Sequence, residues 1–143
     1  MITVSQNIKI NTPADKIFEF VSDYEKDVIW RKNVKKMKIT GRKSGVVGST
    51  TEEVLKFLGS TYLTVSVISE FERNKKISFR SIMGKVKANG YRELYRQNGS
   101  TELKYHLEIK PEGMMKITGG VLKYFFNKQL TKDLLTLKTI LEQ

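Results

Sequence analysis

The chain has 143 residues, of which 39% are hydrophobic and 10% aromatic, and it contains no cysteine. That length suits one globular domain with a buried core, so we expect residues 1–143 to form a single domain. The lack of cysteine excludes disulfides and thiolate chemistry and favours a reducing cytoplasm. The first residues carry no secretory-signal pattern and no apolar run reaches membrane-spanning length, so we expect a soluble intracellular protein. The net charge of +11 attracts anionic partners without specifying one.

The first part of the chain predicts one strand and two short helices. Apolar residues alternate roughly with polar ones between Ile2 and Ile10, as in a half-buried strand. Thr12 then provides an N-cap, followed by a first-turn proline and by Asp15 as a capping acid. An apolar face at helical spacing runs from Ala14 to Val21. A second short helix is predicted over residues 25–29.

From Val34 onward the apolar period changes to two, which predicts six strands in a meander. Asn98-Gly99 is the strongest turn signal, because a two-residue type I′ turn needs positive φ at both positions. Several strands are about ten residues long or more, above the usual mode, so we expect them to bend. The turn signals are Ser44-Gly45, Gly59-Ser60, Asn74-Lys75, Gly84-Lys85 and Asn98-Gly99.

A long amphipathic helix is predicted after Gly119-Gly120. At about 1.5 Å per residue it would measure roughly 35 Å, comparable to the diameter of a domain of this size. It must therefore lie across the sheet and bury its apolar face there. The residues of that face are Leu122, Phe126, Leu130, Leu134, Leu137 and Leu141.

This order of elements resembles the helix-grip fold of the START/Bet v 1-like superfamily, especially its polyketide cyclase/dehydrase-like (SRPBCC) group. The resemblance implies an α+β fold in which a curved seven-stranded antiparallel sheet wraps around a long C-terminal helix, with two short helices between strands 1 and 2. It also implies a hydrophobic cavity, in which members bind lipids, sterols, polyketides or hormones and only some catalyse a reaction. The segments that carry it are residues 12–18 with Asp23 and Trp30, 47–49, 68–72, 98–103 and 137–142.

Few residues offer ordinary catalytic or metal chemistry. His106, the single histidine, alternates with Tyr105 and Leu107 and is predicted on the solvent face of its strand. An exposed, inert histidine is favoured over a general base, and a zinc site or a Ser-His-Asp triad is set aside. No nucleotide-binding glycine loop is present, and we predict no cofactor and no metal.

Two charged residues lie at alternate strand positions that also hold apolar residues, so they are expected to face inward. If Leu55 and Phe57 face the core, Glu53 does too, and Arg92 follows Leu94 in the same way. Such charges need partners and could orient the polar end of a ligand, whereas a bulge in either strand would turn them outward. Both alternatives stay open.

The candidate ligand-binding residues combine this polar pair with large apolar side chains. Each apolar residue could equally fill a closed core, because protein interiors are densely packed. Met114 and Met115, between glycines, could form an adaptable flap or a plain connection. The predicted set is Trp30, Glu53, Leu55, Phe57, Phe79, Met83, Arg92, Tyr105, Met115, Phe125 and Phe126.

A basic segment lies beside the sole tryptophan and contains no acid. A solvated lysine-rich face explains it most simply, and docking on an anionic membrane is the functional alternative. Nucleic acid is disfavoured, because no nucleic-acid-binding motif or exposed stacking platform is evident. Its basic residues are Arg31, Lys32, Lys35, Lys36, Lys38, Arg42 and Lys43.

The sequence is therefore compatible with three functions. The first is binding or carriage of a small hydrophobic molecule, lipid- or polyketide-like, in an internal cavity. The second is a polyketide cyclase/dehydratase-type enzyme using Tyr105, Glu53 or Arg92. The third is a basic-surface module that docks on a membrane, nucleic acid or an acidic protein. A monomer and a homodimer are both compatible with the sequence.

Overall fold

The computed structural model describes residues 1–44, 46–110 and 119–143. A short 3₁₀ turn, Tyr24–Lys26, lies between the first two helices. That residues 1–143 form one domain stays a prediction. In chain order the elements are β1 Ile2–Ile10, α1 Ala14–Val21, α2 Asp27–Trp30, β2 Val34–Gly41, β3 Thr50–Phe57, β4 Ser60–Glu72, β5 Lys76–Gly84, β6 Lys87–Gln97, β7 Ser100–Lys110 and α3 Gly119–Leu141.

The seven strands form one antiparallel sheet in the order β1-β7-β6-β5-β4-β3-β2. Strands β2 to β7 are the predicted six-strand meander, and β1 pairs with β7 at one edge. The predicted helix-grip architecture, with short helices between β1 and β2 and a long C-terminal helix, is confirmed.

The sheet is open and curved, and its pairing register shifts where the long strands bend. Strands β2 and β3 change register twice, and β4 and β5 change register between Val65 and Ser66 and between Ile68 and Glu70. Such bulges add local twist and bend the strand that contains them. The bends turn one face of the sheet into a concave surface.

The positions of two hairpin turns fix the register of the strands that they connect. Asn98 and Gly99 have φ values of 23° and 84°, so both adopt the positive φ that a two-residue turn requires. The β3–β4 turn was predicted at Gly59-Ser60, but it consists of Leu58 and Gly59, with φ values of 49° and 81°. Ser60 already pairs with Phe57 across the hairpin, which moves the turn back by one residue.

The start of α1 differs from its prediction. Pro13 occupies the N-cap position and the Thr12 side chain does not cap the helix. Instead, the Thr12 hydroxyl donates to the carbonyl of Leu141 at 2.7 Å, one of the C-terminal carbonyls of α3 that the helix itself leaves unpaired. The side chain of Glu142 accepts a hydrogen bond from the Asn11 N–H at 2.7 Å. These contacts tie the end of α3 to the beginning of α1.

The apolar face of α3 packs as its spacing predicts. Leu122, Leu130, Leu134 and Leu137 are buried, and Phe126 is partly buried against the same core. The helix also follows β1, where the Gln6 amide donates to the side chain of Asn127 at 2.6 Å. Within the described residues, no helix combines the length and apolarity that crossing a bilayer would need.

Candidate functional site

A cavity of about 120 Å³ lies between the concave face of the sheet, the helix α2 region and α3. Its wall combines a mostly apolar lining with a group of polar side chains. Strands β3 to β7 and the first half of α3 contribute apolar side chains such as Leu55, Phe57, Phe79, Leu107, Phe126 and Leu130. The polar contributors include Tyr24, Arg31, Glu53, Tyr105, Gln129 and Asp133.

The polar part of the wall is built around Arg31. Its Nη1 atom donates to Glu53 Oε2 at 2.8 Å and to Asp27 Oδ2 at 2.9 Å. Asp27 is fully buried and stands four residues before Arg31, so the turn from α2 into the following segment brings the two together. Burial opposes the charge of Arg31, but its anionic neighbours hold the pKa of the guanidinium above its usual value.

Arg92 is the second cation of this network and is fully buried behind the cavity wall. It pairs with Asp27 through Nη1–Oδ1 and Nη2–Oδ2 contacts of 2.9 and 2.7 Å. Nη1 also donates to the Val21 carbonyl at 2.8 Å, and Nη2 donates to the Tyr105 hydroxyl at 3.0 Å. A buried charge is tolerated only with such partners, so this arrangement fixes the guanidinium in one position.

Aromatic rings enclose the same guanidinium. Its central carbon lies 4.3 Å from the ring centre of Tyr24, 4.7 Å from that of Tyr105 and 5.0 Å from that of Trp30. Cation–π attraction is strongest where water is excluded, as it is here. The rings therefore shield the ion pair while two of them, Tyr24 and Tyr105, present another part of their surface to the cavity.

The structure places both Glu53 and Arg92 on the inner side of the sheet. They do not contact each other directly, because Asp27 and Arg31 lie between them and link all four into one network. The network contains two guanidinium and two carboxylate groups, so its formal charges cancel. Arg31 was predicted within an exposed basic face, and that placement is wrong because its side chain is directed to these two carboxylates.

Asp133 is a further buried acid at the cavity. Its Oδ1 atom accepts hydrogen bonds from the Gln129 side chain at 2.7 Å and from the backbone N–H of Lys32 at 3.2 Å. Burial raises the pKa of this carboxyl, and the two hydrogen bonds only partly offset that effect. Asp133 consequently favours the protonated form more than an exposed aspartate does.

Tyr24 is a wall residue whose hydroxyl is unsatisfied. The side chain is buried, and its oxygen has no hydrogen-bond partner among the described residues. Burial raises the pKa of Tyr24, so the hydroxyl keeps its proton at neutral pH and can both donate and accept. A buried hydroxyl without a partner is costly, so a hydrogen bond to a bound molecule would be stabilising.

The predicted site residues fall into four groups, of which the exposed pair Met83 and Phe125 is described below. Trp30 and Arg92 are buried behind the wall and do not line the cavity. Met115, with the predicted flap at Met114-Met115, lies outside the described residues. Those that line the cavity are Glu53, Leu55, Phe57, Phe79, Tyr105 and Phe126.

Met83 and Phe125 are exposed, and their predicted place in the wall is wrong. The pairing of β4 with β5 skips a residue between Ser81 and Met83, so the alternation that begins at Phe79 is interrupted. Phe125 precedes the wall residue Phe126 on α3, and neighbouring helical positions point about 100° apart. Strand parity alone could not detect the bulge, whereas helical spacing already separates Phe125 from the apolar face that contains Phe126.

Three polar residues of the site were not predicted from the sequence, namely Tyr24, Asp27 and Asp133. A signal existed for Asp133, since it interrupts the apolar face of α3 between Leu130 and Leu134. The four-residue spacing of Asp27 and Arg31 was a second, weaker signal. Nothing in the local sequence marked Tyr24, because its role depends on strands that come much later in the chain.

The other polar residues considered in the sequence analysis, His106 and most of the basic segment, lie on outer surfaces. His106 is on the outer face of β7, where its ring stacks on Tyr91 at a centroid distance of 5.0 Å. Apart from Arg31, the basic-segment residues are exposed: Lys32, Lys35, Lys36, Lys38, Arg42 and Lys43. Within residues 1–44, 46–110 and 119–143, no three histidine or acidic side chains are grouped as a metal site would require.

Comparison with solved structures shows the same fold in proteins of low sequence identity. A START superfamily protein from Mycobacterium smegmatis matches with a TM-score of 0.82 and 20% identity, covering 99% of this chain and 97% of that one. A protein from Thermus thermophilus matches with a TM-score of 0.76 and 19% identity, covering 98% and 94%. The Zhui aromatase/cyclase from Streptomyces sp. R1128 matches with a TM-score of 0.75 and 14% identity, covering 98% and 93%.

Among curated proteins, none matches this chain. The family described as "Polyketide cyclase / dehydrase and lipid transport" matches over residues 1–142, almost the whole sequence. The match agrees with the seven-stranded sheet, the long C-terminal helix and the cavity between them. The chain therefore belongs to this polyketide cyclase/dehydrase and lipid transport family, within the START-like fold.

Proposed function

We propose that this protein binds a small, uncharged, largely apolar molecule in its cavity. The observation that carries the proposal is Tyr24, a wall residue of a mainly apolar cavity whose buried hydroxyl has no partner in the described structure. Ligand sites typically combine apolar walls with a few polar groups that fix orientation. A ligand oxygen at Tyr24 would satisfy this hydroxyl and leave the rest of the molecule against apolar side chains.

The cavity volume indicates the size of this ligand. At about 120 Å³ it approaches the roughly 150 Å³ of an engineered apolar cavity that holds benzene. A single aromatic ring is therefore about the largest group that the cavity holds without rearrangement. A larger lipid- or polyketide-like ligand requires partly exposed wall residues, such as Leu55, Phe126 and Gln129, to move aside.

The electrostatics of the wall favour a neutral ligand. The cations Arg31 and Arg92 are already paired with Asp27 and Glu53, so the network offers no free charge of either sign. A carboxylate in the cavity would also meet Glu53 and Asp133, and a desolvated charge without a partner is expensive. The ligand's polar end is accordingly a hydroxyl or a carbonyl, and burial of its apolar surface drives binding at about 25 cal/mol per Å².

Native mass spectrometry of freshly purified protein is the first test, because a retained neutral compound would identify the ligand class directly. Titration with phenol, toluene and benzoate then tests the polar contact. The fluorescence of Trp30 can report binding, since its ring lies 5.9 Å from that of the wall residue Tyr105. We expect phenol to bind best, and we expect Y24F to remove the preference for phenol over toluene.

The control for this substitution is Y95F, which removes a hydroxyl from an exposed tyrosine that donates to Glu93. It should leave all three affinities unchanged. Equal affinity for phenol and toluene in the unaltered protein would refute the polar contact at Tyr24, and tightest binding of benzoate would refute the proposed neutral ligand class.

Catalysis of the cyclase/dehydratase type is the second candidate, and Asp133 is the observation that favours it. A carboxyl with a raised pKa at a cavity wall suits a general acid. The predicted trio of Tyr105, Glu53 and Arg92 is less suitable, because each is already engaged in the buried network. D133N should abolish turnover of a polyketide-like substrate while binding persists; unchanged turnover would eliminate this role.

A further inference from the structure

We infer that the edge of the cavity is a docking surface for an anionic phospholipid bilayer. Four apolar residues are exposed there and form what we call the mouth patch. Their exposed fractions are 43% for Leu58, 43% for Val121, 60% for Tyr124 and 39% for Phe125. This surface is separate from the basic segment of β2, and its recognition of a bilayer does not require an occupied cavity.

Packing of two wall residues brings the parts of the mouth patch together. The rings of Phe57 and Phe126 stack at a centroid distance of 4.5 Å with only 8° between their planes, and both line the cavity. Leu58 directly follows Phe57, and Phe125 directly precedes Phe126. The end of β3 and the first half of α3 therefore meet at this ring pair, and the exposed residues next to it in sequence begin the patch.

The charges around the mouth patch complement an anionic surface. Residues 54–64 and 119–132 contain no aspartate or glutamate. Their lysines are Lys56, Lys123, Lys128 and Lys132, and all four are exposed. The ammonium of Lys128 lies 5.8 Å from the ring centre of Tyr124, so charge and aromatic surface are adjacent. Lysines beside Leu, Phe and Tyr are the composition that binds at the headgroup boundary of a bilayer.

Leu58 adds a conformational argument. Its φ of 49° lies in the left-handed region, which Asn and Gly adopt far more readily than leucine. The side chain is not buried in the core, so packing does not explain a leucine at this turn. Insertion of its apolar side chain into a bilayer explains why a leucine occupies this turn position, which packing within the fold does not.

Vesicle co-sedimentation at low salt tests the inference. The unaltered protein should bind vesicles of phosphatidylcholine and phosphatidylserine in equal parts and should not bind phosphatidylcholine vesicles. L58N removes an apolar contact while relieving the positive φ, so it should melt no lower than the unaltered protein yet bind about fivefold more weakly or worse. Y124S/F125S should lose at least about tenfold.

Matched variants separate this patch from general charge and apolar effects. K123E/K128E and K36E/K38E change the net charge equally, but only the first pair lies beside the mouth patch. K123E/K128E should weaken vesicle binding by about 25-fold or more, because each lysine near an anionic surface contributes about fivefold. K36E/K38E should weaken it far less. I82S/M83S removes two other exposed apolar side chains and should bind as the unaltered protein does.

Three results would overturn the inference. The first is no binding to anionic vesicles by a folded, unaltered protein. The second is equal loss in the two lysine pairs, or loss confined to I82S/M83S, which would place the contact elsewhere. The third is a homodimer in analytical ultracentrifugation that Y124S/F125S converts to a monomer while vesicle binding is unchanged, because the patch would then be an interface between two copies.

Discussion

Arg92 and Asp27 form a bidentate ion pair across 65 positions of sequence, with N–O distances of 2.9 and 2.7 Å. Neither side chain is accessible to solvent. The pair joins β6 to α2 and so fixes the short helices against the sheet. It also positions Arg31, the one guanidinium of the network that reaches the cavity wall.

Breaking this pair should be strongly destabilising. D27N removes the charge that neutralises Arg92, and loss of one partner of a buried pair typically costs about 3–5 kcal/mol. Urea unfolding measures the loss. The double variant D27N/R92M should be less destabilised than the sum of the two single variants, because the two residues interact directly. As a control, K76M at the partly exposed Lys76–Glu70 pair should cost about 1 kcal/mol or less.

Two tyrosines of the cavity wall should respond oppositely to loss of their hydroxyls. Y24F deletes a buried hydroxyl without a described partner, so the ligand-free protein should be unchanged or more stable by up to about 1 kcal/mol. Y105F deletes an acceptor for the Arg92 guanidinium and should cost about 1.5–3 kcal/mol. Urea unfolding of the two variants decides this. Equal losses would mean that Tyr24 is satisfied in solution by a partner that the described residues do not provide.

Asp133 should make the protein less stable at neutral pH than its amide variant. Its pKa is raised on folding, so the folded state holds the proton more tightly than the unfolded state does. The contribution of Asp133 to the free energy of unfolding therefore becomes more favourable as the pH falls through the folded-state pKa. D133N keeps an oxygen acceptor for Gln129 and for the Lys32 N–H but removes the charge. Each unit of difference between folded and unfolded pKa corresponds to about 1.4 kcal/mol.

We therefore expect D133N to gain stability over the unaltered protein at pH near 7. The difference should shrink as the pH falls and disappear below about pH 3, where the carboxyl is protonated in both states. Urea unfolding at both pH values measures it. A D133N advantage that grows towards acid would have the wrong sign and would contradict the raised pKa.

The long helix offers a test of core packing with its own internal control. Leu137 is fully buried against the sheet, whereas Leu135, two positions earlier, is exposed. L137A should cost about 2–5 kcal/mol because it leaves a cavity in a closely packed core. L135A should change stability by about 0.5 kcal/mol or less. Thermal or urea unfolding of the two variants is sufficient, and similar losses would mean that α3 does not pack as described.

Local patterns predicted most of the fold. The apolar period of two from Val34 onward, the turn at Asn98-Gly99 and the leucine spacing of α3 each report on neighbouring residues only, and each is confirmed. Predictions failed where a single residue shifted a regular pattern. The bulge near Met83 and the turn at Leu58 are of this kind, because a shift by one position reverses which face a strand residue occupies.

The order of the elements follows from local sequence patterns, because helix and strand periods and turn residues act within a few positions along the chain. The chemistry of the cavity depends on the folded chain. Asp27, Arg31, Glu53 and Arg92 meet because sheet curvature brings distant segments together, and burial then forces those charges to pair. The same closure leaves the Tyr24 hydroxyl without a described partner, since a hydrogen bond depends on distances of a few ångströms that no spacing in sequence records.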